Sequence, residues 1–398
     1  MEPLVLSAYT VVTALGRGLE PTYEALLSRH SSLQPCHFED VDIHAYTGQV
    51  EGLETRSVGS GLGRFDCRNN RLALLGLEQD GFLQAARNAS ERYGNNRVAV
   101  LLGTSTSGVL TTEHAYRERD LKTGALPNSF IECCRTTHDM FSVADFVRAY
   151  LHLSGPAMVI STACSSSAKV FAAASRFIKA GFCDAAIVGG ADSLCLTTLY
   201  GFSALDLMST GVCRPCDENR DGLALGEAAG FALLETADRA VKTGAVALVG
   251  YGESTDGYHM SHPQPDGMGA IKAMQAALAR AQAKPDDIDY INLHGTATRA
   301  NDLAEDRAVN AVFGDRIPCS STKGWTGHTL GAAGIVETVI SALCLTRGLV
   351  PGSLNTRRVD PALRCRVALE NDFCSIKRVL TNFFGFGGNN CSLVLERL

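Results

Sequence analysis

The chain has 398 residues, 45% of them hydrophobic and 20% charged, enough for a large core in two or three ordinary domains or in one duplicated fold. A net charge of −6 with no long basic run argues against nucleic-acid binding. No apolar run is expected to reach the length of a membrane span, the opening MEPLVLSAYTVV lacks the features of a leader, and the 14 cysteines follow no framework spacing; a cytoplasmic protein with reduced thiols is expected.

Residues 4–12 read as a strand and 20–28 as a polar helix, followed by weak periodicity to about residue 64. Arg64, Arg68 and Arg71 are expected on one face of a helix whose other face carries Leu72, Leu74, Leu75 and Leu77. RVAVLLG at 97–103 is a buried strand, and TSTSG after it is a small loop. At 158–181 an apolar, β-forming run leads straight into an Ala-rich helix in which Ala168, Phe171, Ala172, Phe177 and Ile178 recur at helical spacing. AAIVGGA at 185–191 gives another strand, and the Gly-punctuated segment from 213 leads to a strand at 231–234. The CRPC pair, Cys213 and Cys216, has no second pair at zinc-site spacing and reads as a turn with two unrelated thiols.

The second half repeats the first. VALVGY at 246–251 matches the opening LVLSAY, and IDYINLHGTAT at 288–298 matches VAVLLGTSTS. PCSSTKGWTGH at 318–328 matches MVISTACSSS, and CSLVLE at 391–396 matches GFALLE. Four strand signatures in one order predict a tandem duplication, with halves at 1–240 and 241–398 sharing one core and helices layered between and around sheets.

Cys164 stands at the strand–helix junction of the 158–181 unit. The positive end of a helix dipole and unpaired N–H groups favour thiolate there, which makes Cys164 a candidate nucleophile. The plainer alternative is a thiol packed as a small hydrophobe. The duplication brings the matching loops to the same strand ends, and those loops carry Lys323, His328 and His294. One histidine in a glycine-rich turn is more often structural than catalytic; two at positions implied by the repeat, opposite a thiol, suit nucleophilic and proton-transfer chemistry.

At these residues the sequence resembles a β-ketoacyl-acyl-carrier-protein synthase of the Cys-His-His type, in the thiolase-like superfamily. STACSSS resembles the nucleophile motif, HGTATRAND resembles HGTxTxxxD, and SSTKGWTGHTLGAAGIVE resembles the Lys/His motif. NFFGFGGNN resembles the C-terminal NSFGFGGTN loop. RPCDENRDGLALGEAAG is similar to a further family segment, with Cys216, Leu223 and Ala228 as departures, and Asn389 replaces the usual Thr.

The resemblance implies a five-layered αβαβα α/β fold and a decarboxylative Claisen condensation with malonyl carrier protein. Cys164 would hold the acyl chain as a thioester, and His294 and His328 would bind the malonyl thioester carbonyl. Lys323 with Glu337 would orient His328. The backbone N–H groups of Cys164 and Phe386, in the loop Phe384, Gly385, Phe386, Gly387, would meet the acyl oxyanion. Thr296 and Thr298 would bind the phosphopantetheine arm, and Thr106 would line the acyl pocket. No cofactor and no metal are implied.

The expected partners are an acyl carrier protein and a second copy, or a chain-length-factor-like paralogue. Arg64, Arg68 and Arg71 are the docking candidates for the acidic carrier, ahead of Arg117, Arg119 and Lys122. The SSS after the nucleophile and ADSLCLTTLYGFSAL are reminiscent of synthases that build aryl polyenes. A catalytically silent chain-length-factor subunit is the alternative, which the presence of Cys164 and both histidines opposes. A thiolase would need a second catalytic cysteine near the C-terminus, where Cys391 reads as packing. A starter-unit synthase would carry Asn in place of His328.

Overall fold

The structure, a computed structural model, describes residues 1–240 and 243–398. The expected boundary between the halves falls at residues 241–242, outside the described residues. Ten strands carry the architecture. The first half supplies β1 (Leu4–Thr13), β2 (Val98–Gly103), β3 (Ala157–Ile160), β4 (Ala185–Asp192) and β5 (Ala228–Thr236). The second supplies β6 (Val246–Thr255), β7 (Tyr290–Asn292), β8 (Pro318–Ser320), β9 (Arg378–Gly385) and β10 (Asn389–Arg397).

The two sets are wired alike. In the first half β2 pairs in parallel with both β3 and β4, β4 pairs antiparallel with β5, and β5 antiparallel with β1. In the second, β7 pairs in parallel with β8 and β9, β9 antiparallel with β10, and β10 antiparallel with β6. A short antiparallel contact, Leu4 with Leu248 and Val5 with Ala247, joins β1 to β6 and makes one ladder of the two mirrored sets.

Alternation along each strand builds the layers, because successive side chains leave a strand on opposite faces. On β2, Ala99 and Leu101 face the central core, while Val98, Val100 and Leu102 face an outer layer with helices Arg68–Leu77 and Ser142–Tyr150. On β9, Val379 and Phe383 face the same central core, while Leu380 and Phe384 face the other outer layer with helix Met268–Ala281. Between the sheets lie two helices, Ser166–Lys179 and Ala333–Arg347, whose apolar residues fill the central core. This gives the expected five layers. The continuous apolar runs of β2 and β4 follow from burial on both faces.

One expectation about composition needs correction. The segment Leu330–Arg347 has the length and hydropathy of a membrane span, but 89% of it is buried inside the protein as the core helix between the sheets. It is apolar all round because both neighbouring layers are apolar. Cys213 and Cys216 pack into different apolar clusters, and Cys391 sits in the central core.

Candidate active site

Cys164 follows β3 and precedes helix Ser166–Lys179 by two residues. Ala163 makes the sharp turn between them with φ 52, a left-handed conformation that costs a non-glycine residue roughly 1–2 kcal/mol. Two glycines let the neighbouring segments close on this turn. A Cβ at Gly103 would lie 2.3 Å from Ser167 N, and one at Gly334 would lie 2.2 Å from Ala168 N. The Cys164 turn is thus clamped between the end of β2 and the start of the second central helix.

Burial decides the resting state of the thiol. Cys164 is 4% exposed, and desolvation pushes its thiol up to about 11; the Lys323 charge and the N–H groups of Phe386 and of Cys164 itself pull the other way. A helix terminus contributes at most about 2 kcal/mol, or about 1.5 pKa units, which is too little to overcome that burial. Burial therefore favours the neutral thiol, against the pull of the helix start toward thiolate. The same two N–H groups both point at the Cys164 sulfur.

His328 Nε2 stands 3.0 Å from Cys164 Sγ, and the ligand atoms of Cys164, His294 and His328 all lie within 4.8 Å of one another. The two imidazole rings meet edge to face, 5.3 Å between centroids. Burial lowers both imidazole pKa values well below 6.5, with Lys323 adding to the effect. Both rings are neutral at pH 7, and their tautomers follow from their partners. Leu330 N–H donates to His328 Nδ1 at 3.3 Å, and Lys323 Nζ lies 3.5 Å from His294 Nδ1. With Nδ1 accepting, the remaining hydrogen of each ring sits on Nε2. The site therefore presents two N–H donors beside a thiol. The same arrangement leaves neither Nε2 a lone pair for a zinc ion, although the donor types alone would suit one.

Lys323 is placed differently from expectation. It pairs with Glu337 and contacts His294, whereas His328 is held by backbone: its N–H donates to Ala224 O at 2.7 Å and Gly226 N–H donates to its carbonyl at 3.0 Å. Lys323 opens a short helical turn, Lys323–Thr326, that directs its amine toward the His294 loop. Burial pushes Glu337 up to about 7, against the pull of Lys323.

The cavity above these groups has a volume of about 270 Å³. Thr296, Thr298, Phe384, Gly385 and Phe386 line it as expected, and the hydroxyls of Thr296 and Thr298 bond each other at 2.9 Å. Gly387, with φ 74, turns the chain between Phe386 and Gly388. Phe202, which the sequence reading did not single out, lines the cavity and stacks on Phe386 with ring centroids 5.4 Å apart. Exposed Asp206, His262 and Arg299 mark its open end.

Two expected members lie elsewhere. Thr106 is outside the cavity lining; it is 1% exposed and its hydroxyl donates to Asp192 at 3.0 Å, because a buried carboxylate satisfies it better than an apolar pocket could. Arg68 is 8% exposed and grips Glu227 with Nε at 2.9 Å and Nη2 at 2.6 Å, so it is not a free docking cation. Arg64 belongs to the turn Gly63–Phe65 ahead of that helix and is exposed; Arg71 pairs with Asp66 at 2.6 Å.

Glu305 was also missed. Its two oxygens accept the N–H groups of His294 and Gly295, each at 2.8 Å, and burial pushes it up to about 7. It lies on helix Arg299–Phe313 among Ala304, Ala308 and Val309, and a carboxylate on such an apolar stripe was the available signal.

Comparison with known proteins matches these features to one family. Residues 1–240 match the Beta-ketoacyl synthase N-terminal domain and residues 245–357 its C-terminal domain. The chain is 32% identical to 3-oxoacyl-[acyl-carrier-protein] synthase 2 of Coxiella burnetii, over 99% of this chain and 98% of that protein. A match to the synthase of the same name from Rhizobium meliloti is 41% identical but spans 62% of each chain. The ketosynthase solved in complex with its chain length factor from Xenorhabdus doucetiae superposes with a TM-score of 0.89 at 35% identity, covering 100% of this chain and 98% of that one. The chain belongs to the β-ketoacyl synthase family, acyltransferases that need no cofactor and that condense acyl groups with malonyl-carrier protein to extend fatty acid or polyketide chains.

Proposed function

We propose that Cys164 is the acyl-holding residue of this condensation and that His294 and His328 stabilise the malonyl-derived enolate. In the first step the sulfur attacks an acyl thioester, forming the Cys164 thioester and releasing the carrier thiol, which takes the Cys164 proton. In the second, malonyl-carrier protein loses CO2, the electron pair left on its methylene carbon forms the bond to the acyl carbon, and the sulfur leaves as thiolate and takes a proton from solvent. The two Nε2–H donors converge where the thioester carbonyl gains negative charge, so they lower the barrier through charge that appears only on the way to reaction. The 3.0 Å contact between His328 Nε2 and Cys164 Sγ carries this reading.

On the same reading Lys323 and Glu337 hold His294, Thr296 and Thr298 receive the phosphopantetheine arm, and Phe384–Gly387 forms a gate. The substrate is a fatty or polyene-type acyl chain delivered by an acyl carrier protein, in the cytoplasm, where 14 free thiols stay reduced. Residues 1–240 and 241–398 act as the halves bearing the nucleophile and the two histidines. A partner subunit, a second copy or a chain-length-factor-like paralogue, covers β3; this strand ends the ladder and all four of its residues are half-buried.

The test is intact-protein mass spectrometry after mixing the protein with saturated and polyenoyl carrier proteins. A mass gain on Cys164 that disappears when malonyl-carrier protein is added supports the assignment, and the preferred acyl group reads out the pathway. Acylation at another residue overturns it.

A further inference from the structure

Asp192 ends β4 and is 1% exposed. Its Oδ1 accepts the Thr104 hydroxyl at 2.6 Å, Ser105 N–H at 2.7 Å, Thr106 N–H at 3.1 Å and the Thr106 hydroxyl at 3.0 Å. Its Oδ2 accepts the Ser105 hydroxyl and Gly331 N–H, the latter at 2.5 Å. The hydroxyl hydrogens are committed to the carboxylate, because Thr104 Oγ1 accepts Ser107 N–H and Thr106 Oγ1 accepts Ser193 N–H, both at 3.2 Å. Burial raises the pKa of this acid, yet every contact is a donor and none accepts a proton from it, so the carboxylate is the form that fits.

The six donors come from two places. Five belong to the loop after β2, and the sixth belongs to the turn that carries His328. That turn is strained: Leu330 has φ 49, and its N–H is the group that fixes His328 Nδ1. Gly331 lies so close that a Cβ there would stand 2.7 Å from Asp192 Oδ2 and 2.8 Å from Ser105 N. One buried charge therefore holds both the 104–107 loop and the turn that sets the His328 tautomer. Its field also reaches the nucleophile, where it raises the Cys164 pKa.

We propose that Asp192 is a positioning residue for the condensation: it locks the Leu330–Gly331 turn, and with it the Nε2–H of His328, to the loop following β2. The proposal rests on the roles given above to Cys164 and His328. A shift of the 104–107 loop is transmitted through the shared carboxylate to the donor that faces the malonyl thioester. Asp192 touches neither substrate nor the reacting atoms and acts through His328.

The experiment compares wild type with Asp192→Asn and Thr106→Val in two partial reactions, CO2 release from malonyl-carrier protein and acyl transfer to Cys164. It adds the pH profile of Cys164 alkylation by iodoacetamide. Asp192→Asn places an amide N–H₂ among donors and removes the charge. Expected are a fall in CO2 release of tenfold or more, a smaller fall in acyl transfer, and an alkylation profile shifted to lower pH. A merely structural residue would not move that profile downward. Thr106→Val keeps shape and removes one donor on the far side of the carboxylate, so it should slow CO2 release severalfold although residue 106 lies outside the cavity. If wild type releases no CO2, the functional reading itself fails. If wild type is active and both variants match it in both reactions, or Asp192→Asn is folded with an unshifted alkylation profile, this proposal is overturned. Should Asp192→Asn not fold, Thr106→Val decides: unchanged CO2 release overturns the proposal.

Discussion

Lys323 Nζ lies 3.5 Å from His294 Nδ1 and is paired with Glu337, so its amine touches the first of the two cavity histidines in the chain, while it reaches the second, His328, only through its field. Lys323→Gln should let His294 take either tautomer and leave Glu337 buried without its partner, a loss of about 3–5 kcal/mol. CO2 release from malonyl-carrier protein is expected to fall at least tenfold, and acyl transfer to fall less. Measuring both partial reactions checks this, and equal losses in the two would refute the specific link to His294.

Cys164→Ala removes the sulfur and should abolish covalent acylation, read by intact mass. Cys164→Gln is expected to behave differently. Its side-chain carbonyl can occupy the place between the Cys164 and Phe386 N–H groups where an acyl-thioester oxygen would sit, mimicking the loaded enzyme. The Gln variant should release CO2 from malonyl-carrier protein without forming the condensed product. Any condensation by either variant would sink the role given to Cys164.

The two buried neutral histidines predict a dependence of stability on pH. Each folded-state pKa lies well below 6.5, so below that pH the unfolded chain binds a proton that the fold refuses, and stability falls with acidification. His328→Asn removes one such group. Relative to wild type the variant should lose less stability per pH unit, by about 0.7 kcal/mol at pH 6.5 and rising toward about 1.4 kcal/mol by pH 5. Denaturant unfolding at several pH values measures the difference in slope, and parallel curves would refute a neutral His328.

The repeat was legible because its strands are buried on both faces and so read as apolar runs in the same order twice. Cys164, His294 and His328 were legible because polar residues interrupt those runs at corresponding ends. Asp192, Glu305 and Arg68 were not. Their roles depend on partners 70 to 160 positions away or on backbone N–H groups, as with Arg68 and Glu227, whose contact spans 159 residues. Apart from the apolar stripe it interrupts, a buried carboxylate such as Glu305 looks in sequence like an exposed one; the packing of helix Arg299–Phe313 on the His294 loop is what turns it inward. The burial that opposes thiolate at Cys164 was hidden for the same reason, since helix position is local and burial is not.

Arg68 and Arg64 separate stability from docking. Arg68 occupies both oxygens of Glu227, which is itself buried and also accepts Val50 N–H at 2.8 Å and Leu194 N–H at 3.0 Å; a further arm of Arg68 meets Glu54 at 2.7 Å. Arg68→Ala strands the Glu227 charge and should cost about 3–5 kcal/mol of stability. Arg64 is exposed, with its guanidinium 4.7 Å over the Phe65 ring. Arg64→Ala should change stability by no more than about 0.5 kcal/mol. If Arg64 steers the acidic carrier, its loss lowers kcat/KM for acyl-carrier protein severalfold at low salt, and the deficit shrinks as salt screens the attraction. Carrier kinetics at two ionic strengths, beside unfolding curves for both variants, test the pair. A salt-independent loss in Arg64→Ala, or an Arg68→Ala protein as stable as wild type, would reverse the division of roles.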